Sequence, residues 1–302
     1  KKILPPLFLS GLFMGLGVAS KWTVAYGAVG LAVLFFGKLV FTYRALGLSS
    51  LSARKRDEAQ AAFWQRALKT CLWCCLFFIL IPFSVYFAAF LPLTLLPHNR
   101  YDVLGRFFAY QTHMYNYHST LQATHTFESP WYQWPFDVRN VWYYGNYNAD
   151  GVGGLRTISV LGSPLFWWAG VPAMVYAFVS AVKKRALPAV IAAVGFLAVY
   201  LPWVLVPRCT FVYHYFTAVP FLLIALLSAY SRLCGSPRLQ NPIFSRTVRG
   251  HVVALTAGQS AMLAFLALHL ILFAVFYPVL TGTLTTQDYA NALEWLPTWF
   301  FA

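Results

Sequence analysis

The residues best suited to chemistry lie in one polar, aromatic segment, residues 115–144, which reads YNYHSTLQATHTFESPWYQWPFDVRNVWYY. Tyrosine and tryptophan rings have an apolar body and a polar edge, so they favour the boundary between membrane and water. The same rings are flat surfaces on which a sugar can stack. Glu128 lies in a turn-like FESP context beside Trp131 and Trp134, and it is either a substrate contact or a solvated loop carboxylate. The segment predicts a site for a polar group delivered at the bilayer surface.

Two cations lie next to long apolar runs. Lys21 is found in VASKWT and Arg208 in VPRCTFVYHY. A lysine or arginine at the membrane surface can bind a lipid phosphate. The alternative is that each side chain extends to the interface without binding a ligand, and position alone favours that alternative.

The histidines and cysteines do not follow a metal-site pattern. His113, His118 and His125 lack the spacing of HExxH or a similar motif, so hydrogen-bonding or interfacial roles are favoured. Cys71 and Cys74 form a CxxC within a membrane run, where accessible thiolates are not expected. No phosphate-binding glycine loop, nucleophile elbow or nucleotide fingerprint occurs, which disfavours a soluble nucleotide donor. We therefore predict no metal ligands.

The elements that must position these residues are membrane helices. The chain has 302 residues, of which 60% are hydrophobic and 10% charged, whereas soluble domains have about 25% charged residues. Seven runs are long enough to span a bilayer: residues 3–20, 23–43, 71–96, 158–182, 187–206, 213–230 and 252–277. The net charge of +14 does not indicate nucleic acid, because the basic residues lie in short loops between apolar runs.

The distribution of basic residues predicts the topology. With the two amino-terminal lysines inside, alternating spans place 15 Lys and Arg residues inside and 6 outside. Residues 97–157 then form an extracytoplasmic loop, and the turn at Lys21, the turn at 207–212 and the carboxyl-terminal tail lie on the same side. An amphipathic interfacial helix is predicted near the start of this loop from Val103, Leu104, Phe107 and Phe108. Residues 49–70 show a helical pattern of mixed charge inside. We interpret residues 1–302 as a single transmembrane domain.

Three stretches resemble one family, the protein O-mannosyltransferases, which use dolichyl- or polyprenyl-phosphate-mannose. GLFMGLGVASKWTVAYG resembles the family's G-x-x-x-G-x-(A/S)-x-x-(T/S)-K-W-T hairpin. HSTLQATHTFESPWYQWPFDVRNVWYY and PRCTFVYHYFTAVPF resemble its Ser-x-Pro/Trp-Pro and R-x-x-F-x-Y-H-Y blocks. Their order matches spans five to eleven, so the resemblance covers essentially the whole chain. A loop of about 60 residues has no room for the eukaryotic β-trefoil MIR domain, which favours the bacterial type.

The resemblance implies an all-α integral membrane fold of the GT-C glycosyltransferase class, with about seven transmembrane helices. It implies transfer of mannose from the lipid donor to Ser or Thr hydroxyls of exported proteins. Lys21, Arg208 and Tyr213 would lie on the donor side, with Lys21 on the phosphate. The sugar and acceptor side would be formed by His125, Glu128, Trp131, Trp134 and Arg139. The family's catalytic Asp-Glu pair belongs to a first outer loop upstream, so this chain, which reads as a piece of something longer, is expected to be incomplete as an enzyme.

Other functions remain open. The chain could be a non-catalytic partner subunit or pseudoenzyme of such a transferase, working with a separate upstream half. It could also be a transporter or flippase for lipid-linked sugars, but only Lys38 is an ionisable candidate near the middle of a span. Besides the lipid donor no cofactor is expected, and a divalent metal is left open. The expected location is the cytoplasmic membrane with an extracytoplasmic active face, or the endoplasmic reticulum membrane in a eukaryote.

Overall fold

The computed structural model describes residues 4–95, 102–248 and 251–302. The chain divides into two compact units. Unit 1 comprises Lys1–Leu121 and Leu197–Pro202, and unit 2 comprises Gln122–Phe196 and Trp203–Ala302. The single domain expected from the sequence stays a prediction. Some positions used in the sequence predictions lie outside the described residues. They are the start of the outer loop at 97–101 and the basic residues Lys1, Lys2, Arg100 and Arg249.

Unit 1 is built from helices. They are α1 (Leu4–Ser20), α2 (Val24–Gly47), α3 (Ala53–Cys75), α4 (Ile81–Ala88) and α5 (Val103–Thr120). A π-helical turn, Leu76–Leu80, joins α3 to α4, and a 3-10 helix, Leu91–Leu95, follows α4. The amphipathic helix predicted near the start of the outer loop is α5, and Asp102 caps it by accepting a hydrogen bond from the Gly105 amide at 2.8 Å.

Glycines in α1 allow it to lie directly against the rod formed by α3 and α4. A Cβ atom at Gly11 would lie 2.0 Å from the Phe77 carbonyl oxygen, and one at Gly15 would lie 2.8 Å from the Val85 Cβ. The helix-packing interpretation of these glycines is therefore confirmed. The π turn has a local cause, because Pro82 lacks an N–H and its ring would clash with the carbonyl four residues earlier in a regular helix.

The helical pattern predicted for residues 49–70 is also confirmed. That helix does not stop at the predicted membrane boundary. It continues through the π turn, so that Ala53–Leu93 forms one rod of 41 residues. The charged amino-terminal half and the apolar carboxyl-terminal half are thus parts of the same element.

Unit 2 combines long helices with two small hairpins. The helices are α6 (Pro164–Lys184), α7 (Leu187–Tyr200, which continues into unit 1), α8 (Val219–Cys234), α9 (Pro237–Gln240), α10 (Ala257–Thr281) and α11 (Gln287–Ala292). Strands β1 (Val141–Asn146) and β2 (Arg156–Val160) pair antiparallel, as do β3 (Pro242–Val248) and β4 (His251–Thr256). The 3-10 helices are Trp131–Phe136, Leu201–Leu205 and Val212–Ala218.

The strands correct two predicted span boundaries. The spans predicted at 158–182 and 252–277 begin at Pro164 and Ala257, because residues 158–160 belong to β2 and residues 252–256 to β4. Residues 158–160 and 252–255 are mostly apolar and adjoin an apolar helix, so hydropathy alone extended the predicted spans into them. Neither hairpin was predicted, although the mainly helical fold is confirmed.

The structure supports a multi-pass membrane protein. Among the described residues, six helical segments are long and apolar enough to cross a membrane: Val24–Gly47, Ala53–Leu93, Pro164–Lys184, Leu187–Leu205, Val212–Cys234 and Ala257–Thr281. Helix α1 is apolar but shorter, at 17 residues. Together these elements correspond to the seven predicted spans.

The carboxyl-terminal tail packs onto the outer loop within unit 2. Leu155 and Thr285 exchange backbone hydrogen bonds of 2.8 and 2.9 Å. Gly282, with φ of 72°, ends α10 in the left-handed conformation that glycine adopts at low cost. The chain that follows supplies Leu293, Trp299 and Phe301 to a buried apolar cluster with Leu155 and Phe276. The loop and tail therefore lie at the same end of unit 2, as the alternating topology predicts.

Candidate functional site

Two motif segments distant in sequence are joined by a pair of hydrogen bonds. The Ser129 amide donates to the Thr210 carbonyl oxygen at 2.8 Å, and the Thr210 hydroxyl donates to the Ser129 carbonyl oxygen at 2.9 Å. Both residues are buried. The FESP segment and the PRCT turn therefore lie against each other, although Ser129 and Thr210 are 81 positions apart in the sequence.

A buried aromatic layer, consisting of Trp134, Trp203 and His214, lies behind this junction. The His214 ring stacks on Trp134 with centroids 5.8 Å apart and contacts Trp203 at 4.1 Å. The Trp134 indole N–H donates to the carbonyl oxygen and the hydroxyl of Ser129 at 3.0 and 3.1 Å. Trp134 is only 1% exposed and His214 4%. The layer therefore fixes the shape of the site, and the sugar contact expected of Trp134 stays a prediction.

An outer rim, consisting of His125, Glu128, Trp131 and Arg139, borders the same junction. The Glu128 Oε2 accepts from the His125 amide at 3.3 Å, and the Glu128 amide donates to the His125 carbonyl oxygen at 2.9 Å. Arg139 Nη1 donates to the Thr126 carbonyl oxygen at 2.9 Å. His125 is exposed, and the other three residues are half-buried. The rim residues are thus held by their own loop and remain partly accessible to a ligand.

The rim continues into the turn that carries Arg208. The His125 ring meets Phe211 edge-on at 5.2 Å, and Phe211 stacks on Tyr213 at 5.3 Å. The Tyr213 hydroxyl lies within electrostatic range of Arg208 and of Tyr143. Phe211 thus connects His125 of the rim to Tyr213, and Arg208 lies on the same turn. Tyr143 was not singled out in the sequence, where it is one ring in an aromatic run.

Asp137, which ends the 3-10 helix carrying Trp131 and Trp134, was not singled out in the sequence. It is fully buried and adopts a left-handed backbone conformation, with φ of 52°. Its carbonyl oxygen accepts from the Trp299 indole at 2.6 Å. In the described part of the chain neither carboxylate oxygen has a hydrogen-bond partner of good geometry. Burial raises the pKa of Asp137 to about 7, and the nearby Gly162 amide only partly opposes the shift. This carboxyl group can therefore retain a proton near neutral pH.

The tail holds the loop beside Asp137 in place. The Asn140 side-chain amide donates to the Phe300 carbonyl oxygen at 2.5 Å, and the Phe300 amide donates to Asn140 Oδ1 at 2.9 Å. The Thr298 hydroxyl donates to the Val138 carbonyl oxygen. Nothing in the sequence indicated these contacts, because they join positions 160 residues apart.

Lys21 lies in unit 1, in the tight turn between α1 and α2. Its amide donates to the Gly17 carbonyl oxygen at 2.9 Å and its carbonyl oxygen accepts from Val24 at 3.1 Å. Beside it, the Trp22 indole donates to the Tyr86 hydroxyl at 2.6 Å. The side chain of Lys21 is exposed on a turn whose backbone is well fixed. Its role with the donor phosphate stays a prediction.

The described residues do not converge on a metal-binding arrangement. Across residues 4–95, 102–248 and 251–302, no three His, Cys, Asp or Glu side chains lie close enough together to hold an ion. All five cysteines are free thiols. The site described above therefore rests on hydrogen-bonding, aromatic and charged side chains.

Comparison with known sequences identifies this arrangement. The family model described as the C-terminal four TMM region of protein-O-mannosyltransferase matches residues 103–299. The chain belongs to the protein O-mannosyltransferase family. The match includes every predicted site residue except Lys21. The four membrane-length segments after residue 103, from Pro164–Lys184 to Ala257–Thr281, agree with the four in that description.

Individual relatives extend the match to the rest of the chain. A Mycolicibacterium smegmatis protein named polyprenol-phosphate-mannose–protein mannosyltransferase is 28% identical, with 97% of this chain aligned to 57% of that protein. The Mycobacterium tuberculosis protein of the same name is 26% identical with the same coverage. The chain thus spans a little over half the length of these family members.

A solved structure supports the fold. The Saccharomyces cerevisiae protein O-mannosyltransferase Pmt1–Pmt2 complex bound to the sugar donor aligns with a TM-score of 0.52 at 22% identity. The alignment covers 68% of this chain and 28% of the yeast chain. The GT-C type of helical architecture expected from the sequence is therefore confirmed.

Proposed function

We propose that this chain is the carboxyl-terminal membrane part of an enzyme that transfers mannose from polyprenyl-phosphate-mannose to Ser or Thr hydroxyls of exported proteins. In this reaction the acceptor oxygen bonds to C1 of mannose, and the bond from C1 to the phosphate oxygen breaks. The polyprenyl phosphate leaves with the bonding electrons, and a base takes the hydroxyl proton. Family membership carries the proposal, and the junction of the two motif segments at Ser129 and Thr210 supports it.

Each candidate residue has a role in the proposed reaction. Lys21 and Arg208 each supply positive charge for the donor phosphate, which arginine and lysine bind strongly. Tyr213 lies near Arg208 and can donate a hydrogen bond on the donor side. Sugar and acceptor contacts are assigned to the outer rim, where Trp131 offers a ring for stacking and Glu128 and Arg139 offer polar groups. We assign the catalytic base to carboxylates outside these 302 residues, supplied by an upstream part of the enzyme or by a partner chain.

The charge distribution supports a proposed location. We propose that the loop, the Arg208 turn and the tail lie on the extracytoplasmic side of the cytoplasmic membrane, which the bias of 15 basic residues against 6 supports. This is the side on which an exported protein would present its hydroxyls. The partners of the chain are then a membrane lipid donor and a secreted or membrane-bound acceptor protein.

Transfer of labelled mannose from polyprenyl phosphate to a Ser/Thr-rich peptide tests the proposal. We expect no transfer by the chain alone and transfer once the upstream spans are supplied on a second chain. Arg208→Ala should then reduce donor affinity about tenfold, because a hydrogen bond to a charged group contributes roughly 1.5–3 kcal/mol. Arg156→Ala, at an exposed arginine in β2, is the matched control.

Two results would contradict this assignment. Activity of the chain alone that Glu128→Gln abolishes would place the base within the outer rim. Binding of the lipid-linked sugar and its movement across vesicles, with no transfer to peptide in either preparation, would favour a transporter.

A further inference from the structure

Helices α6, α8 and α10 border an apolar cavity in unit 2. Its volume is about 690 Å³, and its walls are almost entirely hydrocarbon. Representative lining residues are Phe166 and Tyr176 from α6, Leu223 and Arg232 from α8, and Met262 and His269 from α10. This cavity is formed by the membrane-length helices rather than by the loop and turn that carry the candidate site.

The cavity has a defined direction and length. Leu222 contacts Gly170 near the start of both α8 and α6. A single span, Leu187–Leu205, lies between these two helices in the chain, so the alternating topology makes them run parallel. Near the other end of α8, the Tyr230 hydroxyl donates to the Gly258 carbonyl oxygen at 3.3 Å, at the start of α10. The lining residues of α8 extend from Leu223 to Leu233, about 15 Å at 1.5 Å per residue. That is about half of a 30 Å hydrocarbon core, the depth of one leaflet.

The end of the cavity marked by Arg232 is strongly basic. Lys183 and Lys184 end α6, Arg232 is in the last turn of α8, and the segments between the helices add Arg185, Arg238 and Arg246. The sequence has no Asp or Glu in residues 183–186 or 231–256. Among the described residues, Arg54 and Glu58 form an ion pair, and no described carboxylate forms one with Arg232.

We propose that this cavity binds one acyl chain of an anionic phospholipid from the leaflet at the basic end, with the lipid phosphate on Arg232. An apolar cavity one leaflet deep fits an acyl chain, and an excess of positive charge at its mouth selects an anionic headgroup. This lipid is distinct from the sugar donor of the proposed reaction, because Arg208 and Tyr213 precede the opposite end of α8. The proposal does not depend on the catalytic function.

Native mass spectrometry of the purified chain tests the proposal. The protein is exchanged into detergent with phosphatidylglycerol or with phosphatidylcholine of the same acyl chains. We expect one phosphatidylglycerol to be retained at detergent concentrations that remove phosphatidylcholine. Arg232→Gln should weaken its retention about tenfold, as expected for loss of a charge-assisted hydrogen bond. Arg238→Gln, which removes the same charge from a residue that does not line the cavity, should have a much smaller effect.

A second variant tests the acyl-chain part of the proposal. Ala261→Phe places a ring in the cavity and should lower retention, whereas Ala264→Phe, on the same helix but not among the lining residues, should not. Equal retention of the two lipids, or equal losses in Arg232→Gln and Arg238→Gln, would overturn the proposal in favour of a diffuse basic surface. Displacement of the retained lipid by stoichiometric polyprenyl phosphate would overturn it in favour of a site for the donor's lipid chain.

Discussion

The buried aromatic layer and the outer rim adjoin the same junction but differ in how their residues are held. Trp134 and His214 are enclosed and stack on each other. Glu128 and Arg139 are half-buried and bond to the backbone of their own loop. A residue of the first kind determines the shape of the site, whereas one of the second kind can exchange its partner for a ligand. Two tryptophans only three positions apart, Trp131 and Trp134, therefore have different expected roles.

The largest expected effect is on the buried layer. Trp134→Ala removes a fully packed ring and two hydrogen bonds from its indole N–H. Loss of a buried tryptophan costs about 3–5 kcal/mol of folding free energy, so the unfolding midpoint in detergent should fall sharply. Trp131→Ala, at a half-buried ring in the same 3-10 helix, should cost much less. Equal losses of folding stability in the two variants would show that the buried aromatic layer and the outer rim do not differ in how their residues are held.

The second prediction concerns Asp137, which ends the 3-10 helix that carries Trp131 and Trp134. Its pKa of about 7 exceeds the ordinary value of 3.8, so the folded state binds the proton more tightly than the unfolded state. Stability is then unaffected below about pH 4, falls as the pH rises from 4 to 7, and levels off above 7. The loss reaches roughly 4–5 kcal/mol at most, since each pKa unit corresponds to about 1.4 kcal/mol.

Asp137→Asn should remove this pH dependence. Asparagine matches the shape of the acid and tolerates the left-handed backbone. The variant should match the parent at pH 4 and exceed it in unfolding midpoint at pH 8. Asp288→Asn, at an exposed acid in α11, controls for the loss of one negative charge. If the unfolding midpoints of the parent and of Asp137→Asn depended on pH in the same way, Asp137 would not retain its proton near neutral pH.

The third prediction concerns activity at the rim. Trp131→Ala should lower kcat/KM for mannose transfer by about two- to tenfold, because an aromatic contact contributes roughly 0.5–1.5 kcal/mol. The unfolding midpoint should change little. The assay uses the chain together with the upstream spans. Unchanged transfer kinetics would show that Trp131 does not contact the sugar. The polar residues of the rim would then be the remaining candidates for that contact.

The smallest expected effect is at the junction itself. Thr210→Val removes the hydroxyl that donates to the Ser129 carbonyl oxygen and leaves the reciprocal backbone bond intact. Loss of one such bond costs about 1 kcal/mol. Thr210→Ser retains the donor and should restore most of that stability. A thermal-shift series in one detergent would measure both, and identical midpoints for the two variants would show that the bond contributes nothing.

The sequence predicted features that depend on local pattern. Apolar runs predicted the membrane helices, because a spanning helix must present apolar side chains along its full length. The glycines of α1 predicted close packing for a similarly local reason. The order of the three motif blocks predicted the family and the fold.

Features that depend on distant partners could not be predicted. The Ser129–Thr210 and Asn140–Phe300 bonds join loops whose sequences carry no periodicity. The burial of Asp137 depends on the tail, which contributes Trp299 from 162 positions away. The hairpin formed by β1 and β2 was also missed, because its aromatic residues equally suit an interfacial loop.

The 41-residue rod Ala53–Leu93 has a practical consequence for imaging. A helix of that length measures about 60 Å, roughly twice the hydrocarbon thickness of a bilayer. Its charged half must therefore extend beyond the lipid tails. A small membrane protein that consists mostly of embedded helices offers few landmarks for aligning particle images. A soluble marker fused in continuous helical register before Ala53 would move rigidly with this rod and supply such a landmark.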